Sequence, residues 1–89
     1  MFIVVSYDIA DDRRRTRLHR ELKNFGTRVQ YSVFECVLEA KDFSRLQTAV
    51  KRVIRDDDHV RYYRLCEHCR QQVTALGGTV TQLAGTLVV

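Results

Sequence analysis

An apolar run at the start of the chain ends on an acidic residue and leads into an arginine-rich segment. Residues 2–7 are apolar at nearly every position, which predicts a central strand covered on both faces. Asp8 follows at the end of that strand. Four arginines come soon after it: Arg13, Arg14, Arg15 and Arg17. Carboxylate oxygens suit Mg²⁺ and arginine binds phosphate in a bidentate manner, so this segment indicates phosphodiester chemistry or nucleic-acid binding.

The composition is that of one small basic domain. With 89 residues the chain has room for a single core, and oligomerisation would add to the stability of so small a core. The net charge is +4, and twelve of the fifteen basic residues are arginine. Arginine in place of lysine favours contacts with phosphate or carboxylate groups. An arginine-biased genome would give the same composition, and that alternative stays open.

The lack of recognisable targeting signals and the cysteine usage favour a cytoplasmic location. The start of the chain lacks the basic residues and long apolar core of a signal peptide. No apolar run approaches the ~20 residues that cross a bilayer. The three cysteines are an odd number, which argues against a closed disulfide framework and for a reducing compartment.

Hydrophobic periodicity predicts two amphipathic helices. Asp11 and Asp12 supply an N-cap and negative charge at the start of the first helix. Its apolar stripe consists of Leu18, Leu22 and Phe25. Gly26 is expected to end this helix in the left-handed conformation. Residues 42–55 form the second helix, with Asp42 as its cap.

Two further extended regions are predicted, at residues 28–40 and 59–65. In the first, the apolar set changes faces between Val33 and Phe34, which one regular strand cannot do because its side chains alternate. Two short paired strands or a strong bulge would resolve this change. The second region alternates cleanly and predicts a single strand.

The order strand, helix, strand, strand, helix, strand predicts an α+β, ferredoxin-like βαββαβ sandwich. Residues 1–78 are expected to form this domain, and a helical turn through Val73 and Leu76 is expected near its end. Residues 79–89 are β-prone and form either a C-terminal strand or a tail that packs on a partner subunit.

A single carboxylate makes a weak magnesium site, because such sites use one or two carboxylates together with substrate phosphate and water. A symmetric dimer would bring two copies of Asp8 together across a two-fold axis. The alternative for Asp8 is a capping or turn role. The clustered arginines would form a salt-sensitive phosphate-binding surface, which Arg28, Arg61 and Arg64 could extend.

Aromatic residues are interleaved with these charges, and aromatic rings can stack on unpaired bases. They are Tyr7, Tyr31, Phe34, Tyr62 and Tyr63. The alternation within strands favours core positions for most of them instead.

Cys66 and Cys69 have the spacing of a zinc or redox pair. A zinc site needs four ligands, and only His68 and Cys36 are obvious additions. A thioredoxin-type pair belongs at a helix start after a first strand, not late in the chain. We interpret the pair as reduced and structural.

Three stretches together resemble the small CRISPR-associated Cas2 proteins. The first is residues 4–9 with the following arginine segment at 11–15, the second is residues 26–36, and the third is residues 60–66 with the late cysteine pair. The resemblance covers about residues 1–76, in order.

This resemblance implies a ferredoxin-like homodimer in which the two copies of Asp8 face each other and share Mg²⁺ or Mn²⁺. It implies metal-dependent cleavage of phosphodiester bonds in RNA or DNA. It also implies that the dimer sits between pairs of Cas1 integrase subunits and helps to hold foreign DNA for insertion into the CRISPR array. Further positions associated in the family with activity or nucleic-acid contact are Tyr7, Arg15, Arg17, Arg28 and Phe34.

Three other functions remain open at this point. The chain could be a non-catalytic DNA-binding scaffold of the same family, with salt-sensitive duplex binding and no cleavage. It could be a toxin-like messenger-RNA nuclease on the related fold. A ferredoxin-like regulatory module for a small ligand is more distant, because the chain has an arginine excess and lacks a glycine-rich ligand loop.

Overall fold

Four antiparallel strands form the main sheet of the computed structural model, which describes residues 1–77 and 87–88. The strands are β1 (Phe2–Asp8), β2 (Thr27–Gln30), β3 (Val33–Val37) and β4 (His59–Leu65). They lie side by side in the order β2-β3-β1-β4. The helices are α1 (Asp12–Leu22) and α2 (Ala40–Lys51), which follow β1 and β3. This topology confirms the expected α+β, ferredoxin-like sandwich.

Strand β1 lies inside the sheet, but the helices cover only one of its faces. Ile3, Val5 and Tyr7 belong to the core that includes the buried leucines of both helices. On the opposite face, Val4 and Ser6 are half-buried and Asp8 is exposed. We call this second side of the sheet the open face. Coverage on both faces was therefore the wrong prediction for a single chain.

Helix α1 begins where the sequence predicts, because the carboxylate of Asp11 accepts a hydrogen bond from the amide of Arg14 at 2.8 Å. Its apolar stripe is buried or packed against the core as expected. The role predicted for Gly26 is wrong, since this residue does not have a positive φ. A Cβ there would collide with the backbone oxygen of Glu35 and the sulfur of Cys36. Close approach to β3, rather than a left-handed turn, therefore favours glycine.

The change of faces near residue 33 has two structural causes. Tyr31 and Ser32 form a turn between β2 and β3, and the pairing of these strands shifts register between Arg28 and Gln30. Both features offered by the sequence, paired strands and a bulge, are therefore present. The bulge leaves Arg28 opposite Phe34, on the side of the sheet that faces the helices.

Helix α2 starts and ends earlier than predicted. Its N-cap residue is Glu39, which makes no side-chain capping bond, and Asp42 lies within the first turn instead. The amide of Leu38 bonds to the carbonyl of Met1 at 2.8 Å, just before β1, and the helix starts two residues later at Ala40. The predicted cap at Asp42 is therefore wrong.

The chain after β4 differs from the predicted helical turn. A short helix α3 (Glu67–Arg70) comes first, and β5 (Thr74–Ala75) then pairs in parallel with β6 (Leu87–Val88) of the same chain. Val73 and Leu76 therefore flank a strand. The rest of the tail predicted at 79–89 lies outside the described residues. Within the described ranges, no helix is long and apolar enough to cross a membrane.

An ion pair ties α1 to the loop before β4. The guanidinium of Arg14 donates through Nε and a terminal nitrogen to the two carboxylate oxygens of Asp58, at 2.9 and 3.2 Å. The amide of Arg55 adds a third bond to this carboxylate at 2.9 Å. The Asp58 side chain is only 2% exposed, whereas that of Arg14 is 27% exposed. Bidentate geometry and a fixed backbone donor make this pair stronger than an ordinary surface ion pair.

These bonds hold the pKa of the Asp58 carboxyl below its ordinary value of 3.8, chiefly through the Arg14 guanidinium and then through the Arg55 amide. A carboxyl whose pKa is lower in the folded state than in the unfolded state stabilises the fold at neutral pH. That contribution is lost as the pH falls through the lowered pKa.

We expect Asp58→Asn to lower the melting temperature by several degrees at pH 7, because it removes the charge that holds Arg14. The matched control is Asp56→Asn, which changes an exposed carboxylate in the same loop. Thermal unfolding followed by circular dichroism from pH 7 down to pH 3 measures the effect. The difference between Asp58→Asn and the wild type should shrink below about pH 4. Equal melting temperatures of Asp58→Asn and Asp56→Asn at pH 7 would contradict a stabilising role for the ion pair.

Candidate functional site

Asp8 is the last residue of β1 and lies exposed on the open face of the sheet. Its partner in the register of β4 is His59, which is also exposed. Directly paired residues of antiparallel strands share a face, so this imidazole lies beside the carboxylate. The neighbours of Asp8 along the chain, Tyr7 and Ile9, are buried. The carboxylate is thus presented to solvent by a backbone that is anchored on both sides.

Arg15 holds the loop that follows Asp8. One terminal nitrogen of its guanidinium donates to the carbonyl oxygen of Ile9 at 3.0 Å and to that of Ala10 at 3.4 Å. The other terminal nitrogen forms an ion pair with Asp12. Several N–H groups of Arg15 therefore make hydrogen bonds within the protein. Its immediate effect is to fix the path of the chain next to the carboxylate.

Tyr7 lies on the helix side of the sheet, one residue before Asp8. Its hydroxyl donates to the carbonyl oxygen of Tyr31 at 3.4 Å, and its ring lies 6.4 Å from that of Phe34. Burial raises the pKa of the Tyr7 phenol above 10.0, although Arg28 acts in the opposite direction. The phenol is therefore protonated at neutral pH, and its proton serves the hydrogen bond to the carbonyl oxygen of Tyr31.

Phe34 is fully buried in the core. Its ring contacts His19 of α1 edge to face, with 5.3 Å between the ring centroids. Any influence of Phe34 on a bound ligand would therefore act through Tyr7 and His19, which it supports.

The structure brings only some of the other predicted arginines to this end of the molecule. Arg13 and Arg17 are exposed on α1, and Arg28 is exposed on β2. Arg14, in contrast, is engaged by Asp58 as described above. The exposed arginines extend the positive surface along α1 and β2.

The two arginines of β4 lie at different places on the sheet. Arg61 pairs with Ser6 on the open face, close to Asp8, and donates to the hydroxyl of Tyr63 at 3.3 Å. Arg64 pairs with Ile3 near the far end of β1, and its guanidinium packs over Phe43 at 5.8 Å. Arg61 therefore extends the charged surface toward the site, and Arg64 does not.

Sequence reasoning did not identify His59 or Asp58. The position of His59 beside Asp8 depends on the register between β1 and β4. The sequence predicts both strands but does not indicate which residues of the two pair. Asp58 lies in a run of three aspartates, and nothing local distinguishes it from Asp56 and Asp57.

The cysteine pair does not form part of the core. Cys66 and Cys69 are exposed, and the sulfur of Cys66 accepts a hydrogen bond from the amide of Cys69 at 3.5 Å. This backbone bond lowers the pKa of the Cys66 thiol. Cys36 is buried, and desolvation raises its pKa to about 11. Cys66 thus has a structural role as the N-cap of α3, and neither residue of the pair packs in the core.

Metal-ligand side chains are sparse in the described part of the chain. Residues 1–77 contain no group of three or more histidine, cysteine, aspartate or glutamate side chains arranged to hold a metal ion. One chain thus offers Asp8 as a single exposed carboxylate at the strand end. This donor fits a magnesium site only when a second carboxylate or a substrate phosphate completes it.

Known relatives match this chain over most of its length. The family described as CRISPR associated protein Cas2 matches residues 1–73. A CRISPR-associated endoribonuclease Cas2 of Chloroflexus aurantiacus is 43% identical over 79 residues, which is 86% of this chain and 85% of the relative. A protein of the same description from a Synechocystis strain is 40% identical over 92 residues and covers both chains completely.

Solved structures also match this chain over most of its length. A hypothetical protein from Thermus thermophilus superposes with a TM-score of 0.80 at 37% identity, covering 91% of this chain and 96% of that one. A chain of a partial Cas6-RT–Cas1–Cas2 complex superposes with a TM-score of 0.65 at 26% identity, covering 80% and 84%. The chain described here belongs to the CRISPR-associated Cas2 family.

Proposed function

We propose that this protein is a metal-dependent endonuclease of CRISPR adaptation that acts on phosphodiester bonds as a homodimer. The observation that carries the proposal is the exposed carboxylate of Asp8 at an anchored strand end beside an arginine-rich surface. Its relatives in Chloroflexus and Synechocystis are described as endoribonucleases, so RNA is the first substrate to test.

The open face supports the homodimer. Val37 and Tyr63 lie on this face by the register of the sheet, and these residues remain 55% and 45% exposed. An apolar sheet surface of this kind is typical of a protein–protein interface. In a two-fold dimer the same face is used by both subunits, and a two-fold axis close to the end of β1 would bring the two copies of Asp8 together.

Two Asp8 carboxylates would hold Mg²⁺ or Mn²⁺ together with substrate phosphate and water. The cation, when bound, supplies charge neutralisation at the phosphate and lowers the pKa of a bound water. The protein's own contribution is placement. Arg15 fixes the loop beside the carboxylate, and Arg13, Arg17 and Arg28 offer positive charge to the flanking phosphates.

We further propose that the dimer is an adaptor for the Cas1 integrase and holds DNA during spacer insertion. The superposition on one chain of an assembly that contains Cas1 and Cas2 supports this role. The non-catalytic scaffold is the second candidate, and the net charge of +4 would serve it equally well. Cleavage assays separate the two candidates.

Asp8→Asn should reduce metal-dependent cleavage of labelled single-stranded RNA by roughly 100-fold or more, because the amide is a poorer ligand for a hard cation. The control is Asp56→Asn, an exposed carboxylate at another site, which should cut at the wild-type rate. The rates are measured on gels with Mg²⁺ or Mn²⁺ and with a chelator. The melting temperature and elution volume of each variant test whether fold and dimer persist.

Two results would contradict a catalytic Asp8. Equal cleavage rates of Asp8→Asn and the wild type would show that Asp8 takes no part in the reaction. No cleavage by either protein under any metal condition, with salt-sensitive DNA binding intact, would favour the scaffold.

Arg17→Ala should weaken RNA and duplex DNA binding alike, because an exposed arginine on α1 contacts phosphates without reading sequence. The slope of log affinity against log salt should become shallower by about one unit. The matched control is Arg45→Ala on α2, whose side chain is 75% exposed. Fluorescence anisotropy at several salt concentrations measures both quantities. An unchanged slope for Arg17→Ala would place this residue outside the binding surface.

A further inference from the structure

A small pocket lies on the helix side of the sheet end, beside β1 and α1. Its volume is about 180 Å³. The residues that line it are Tyr7, Arg15, Thr16, His19, Arg28 and Tyr31. It combines two guanidinium groups with an aromatic ring, which is a combination suited to a phosphate next to a flat ring.

Tyr31 supplies the exposed aromatic ring of this pocket. This residue lies in the turn between β2 and β3 and is 67% exposed, so it contributes little to the core. Aromatic residues that stabilise a fold bury most of their surface. The exposure of this ring therefore calls for another explanation.

Two arginines hold the exposed ring in place. The guanidinium of Arg28 lies 5.3 Å from the centroid of the Tyr31 ring, and that of Arg15 lies 5.9 Å from it. The carbonyl oxygen of Tyr31 also accepts the hydroxyl of Tyr7 at 3.4 Å. These contacts orient the ring, and the residue as a whole remains 67% exposed. A ring that is both oriented and exposed is prepared to stack on a ligand.

The positive charge of the pocket comes from its arginines. Burial and the nearby charge of Arg28 and Lys23 lower the pKa of His19 below 6.5, so its imidazole is neutral at pH 7. Tyr7 is a protonated phenol, as described above. Arg15 donates several hydrogen bonds to the loop after Asp8 and to Asp12. Within residues 1–77, Arg28 donates a long hydrogen bond from Nε to the carbonyl of Gln30, at 3.4 Å, besides its packing over the Tyr31 ring. Arg28 is therefore the better-placed phosphate donor.

We propose that Tyr31 stacks on an unpaired base of the bound nucleic-acid strand while Arg28 contacts the adjoining phosphate. This inference rests on the proposed nucleic-acid-binding function and assigns to Tyr31 the placement of a nucleotide near Asp8. A paired base is stacked within its duplex and does not offer a free face to the ring. The contribution of Tyr31 is accordingly limited to single-stranded or frayed segments.

The test measures binding by fluorescence anisotropy in a chelator, which prevents cleavage of the probe. The probes are a short labelled single-stranded RNA, the same strand with its bases removed, and a duplex of the same length. The variants are Tyr31→Ala, Tyr31→Leu and Tyr31→Phe. Tyr31→Phe keeps the ring, whereas Tyr31→Leu keeps an apolar side chain without it.

We expect Tyr31→Ala and Tyr31→Leu to bind the single strand about tenfold more weakly, and Tyr31→Phe to bind it normally. The abasic strand and the duplex should bind all variants alike. Wild-type affinity of Tyr31→Ala for the single strand would overturn the inference. An equal loss on all three probes would also overturn it, because the ring would then only position the arginines. Failure of the wild-type protein to bind any probe would overturn the proposed function itself.

Discussion

Backbone hydrogen bonding on both sides of β1 determines where every candidate functional group lies. The strand pairs with β3 along one edge and with β4 along the other, and the amide of Tyr7 adds a bond to the carbonyl of Ser32 at 3.1 Å. A slip by one residue would exchange the two faces of the strand. The burial of Ile3, Val5 and Tyr7 opposes such a slip. The same burial therefore directs Asp8 to the open face.

The arginines of the first helix perform different tasks although they are adjacent in sequence. Arg14 is held by a nearly buried carboxylate, and Arg15 binds main-chain carbonyls of the preceding loop. Arg13 and Arg17 are exposed. The first two make the strand end rigid, and the others give it charge toward solvent. A site for a polyanion needs both properties, because a mobile carboxylate would be a poor ligand even in a positive field.

Features that depend on local pattern could be predicted from the sequence. Asp11 caps α1, and β4 has the predicted bounds, because a capping side chain and strict alternation act over a few residues. The reason for Gly26 could not be predicted, since it depends on the approach of Glu35 and Cys36 from β3. The partner of Arg14 was equally inaccessible, because Asp58 is 44 residues away in the chain. Local signals specify elements, whereas pairing partners follow only from the assembled fold.

The exposure of aromatic residues shows the same limit within the candidate site. Alternation favoured core positions for most of the set, and this holds for Tyr7 and Phe34. It fails for Tyr31, because the chain turns there and the alternation of the strand stops. It also fails for Tyr63, which alternates regularly but faces the side of the sheet that the helices do not cover. Whether an alternating face is buried depends on what packs against it, and a second subunit can cover such a face as well as the same chain does.

The end of β1 presents different chemistry on its two faces. Asp8 lies on the open face, whereas Arg28 and the ring of Tyr31 belong to the helix side, and the loop held by Arg15 lies between them. In a two-fold dimer built through the open face, the two carboxylates would be central and the two pockets peripheral. A nucleic-acid strand held in one pocket would then cross the loop that Arg15 fixes in order to reach the two carboxylates. By fixing this loop, Arg15 would thus guide the path of the nucleic-acid strand, in addition to any direct contact with phosphate.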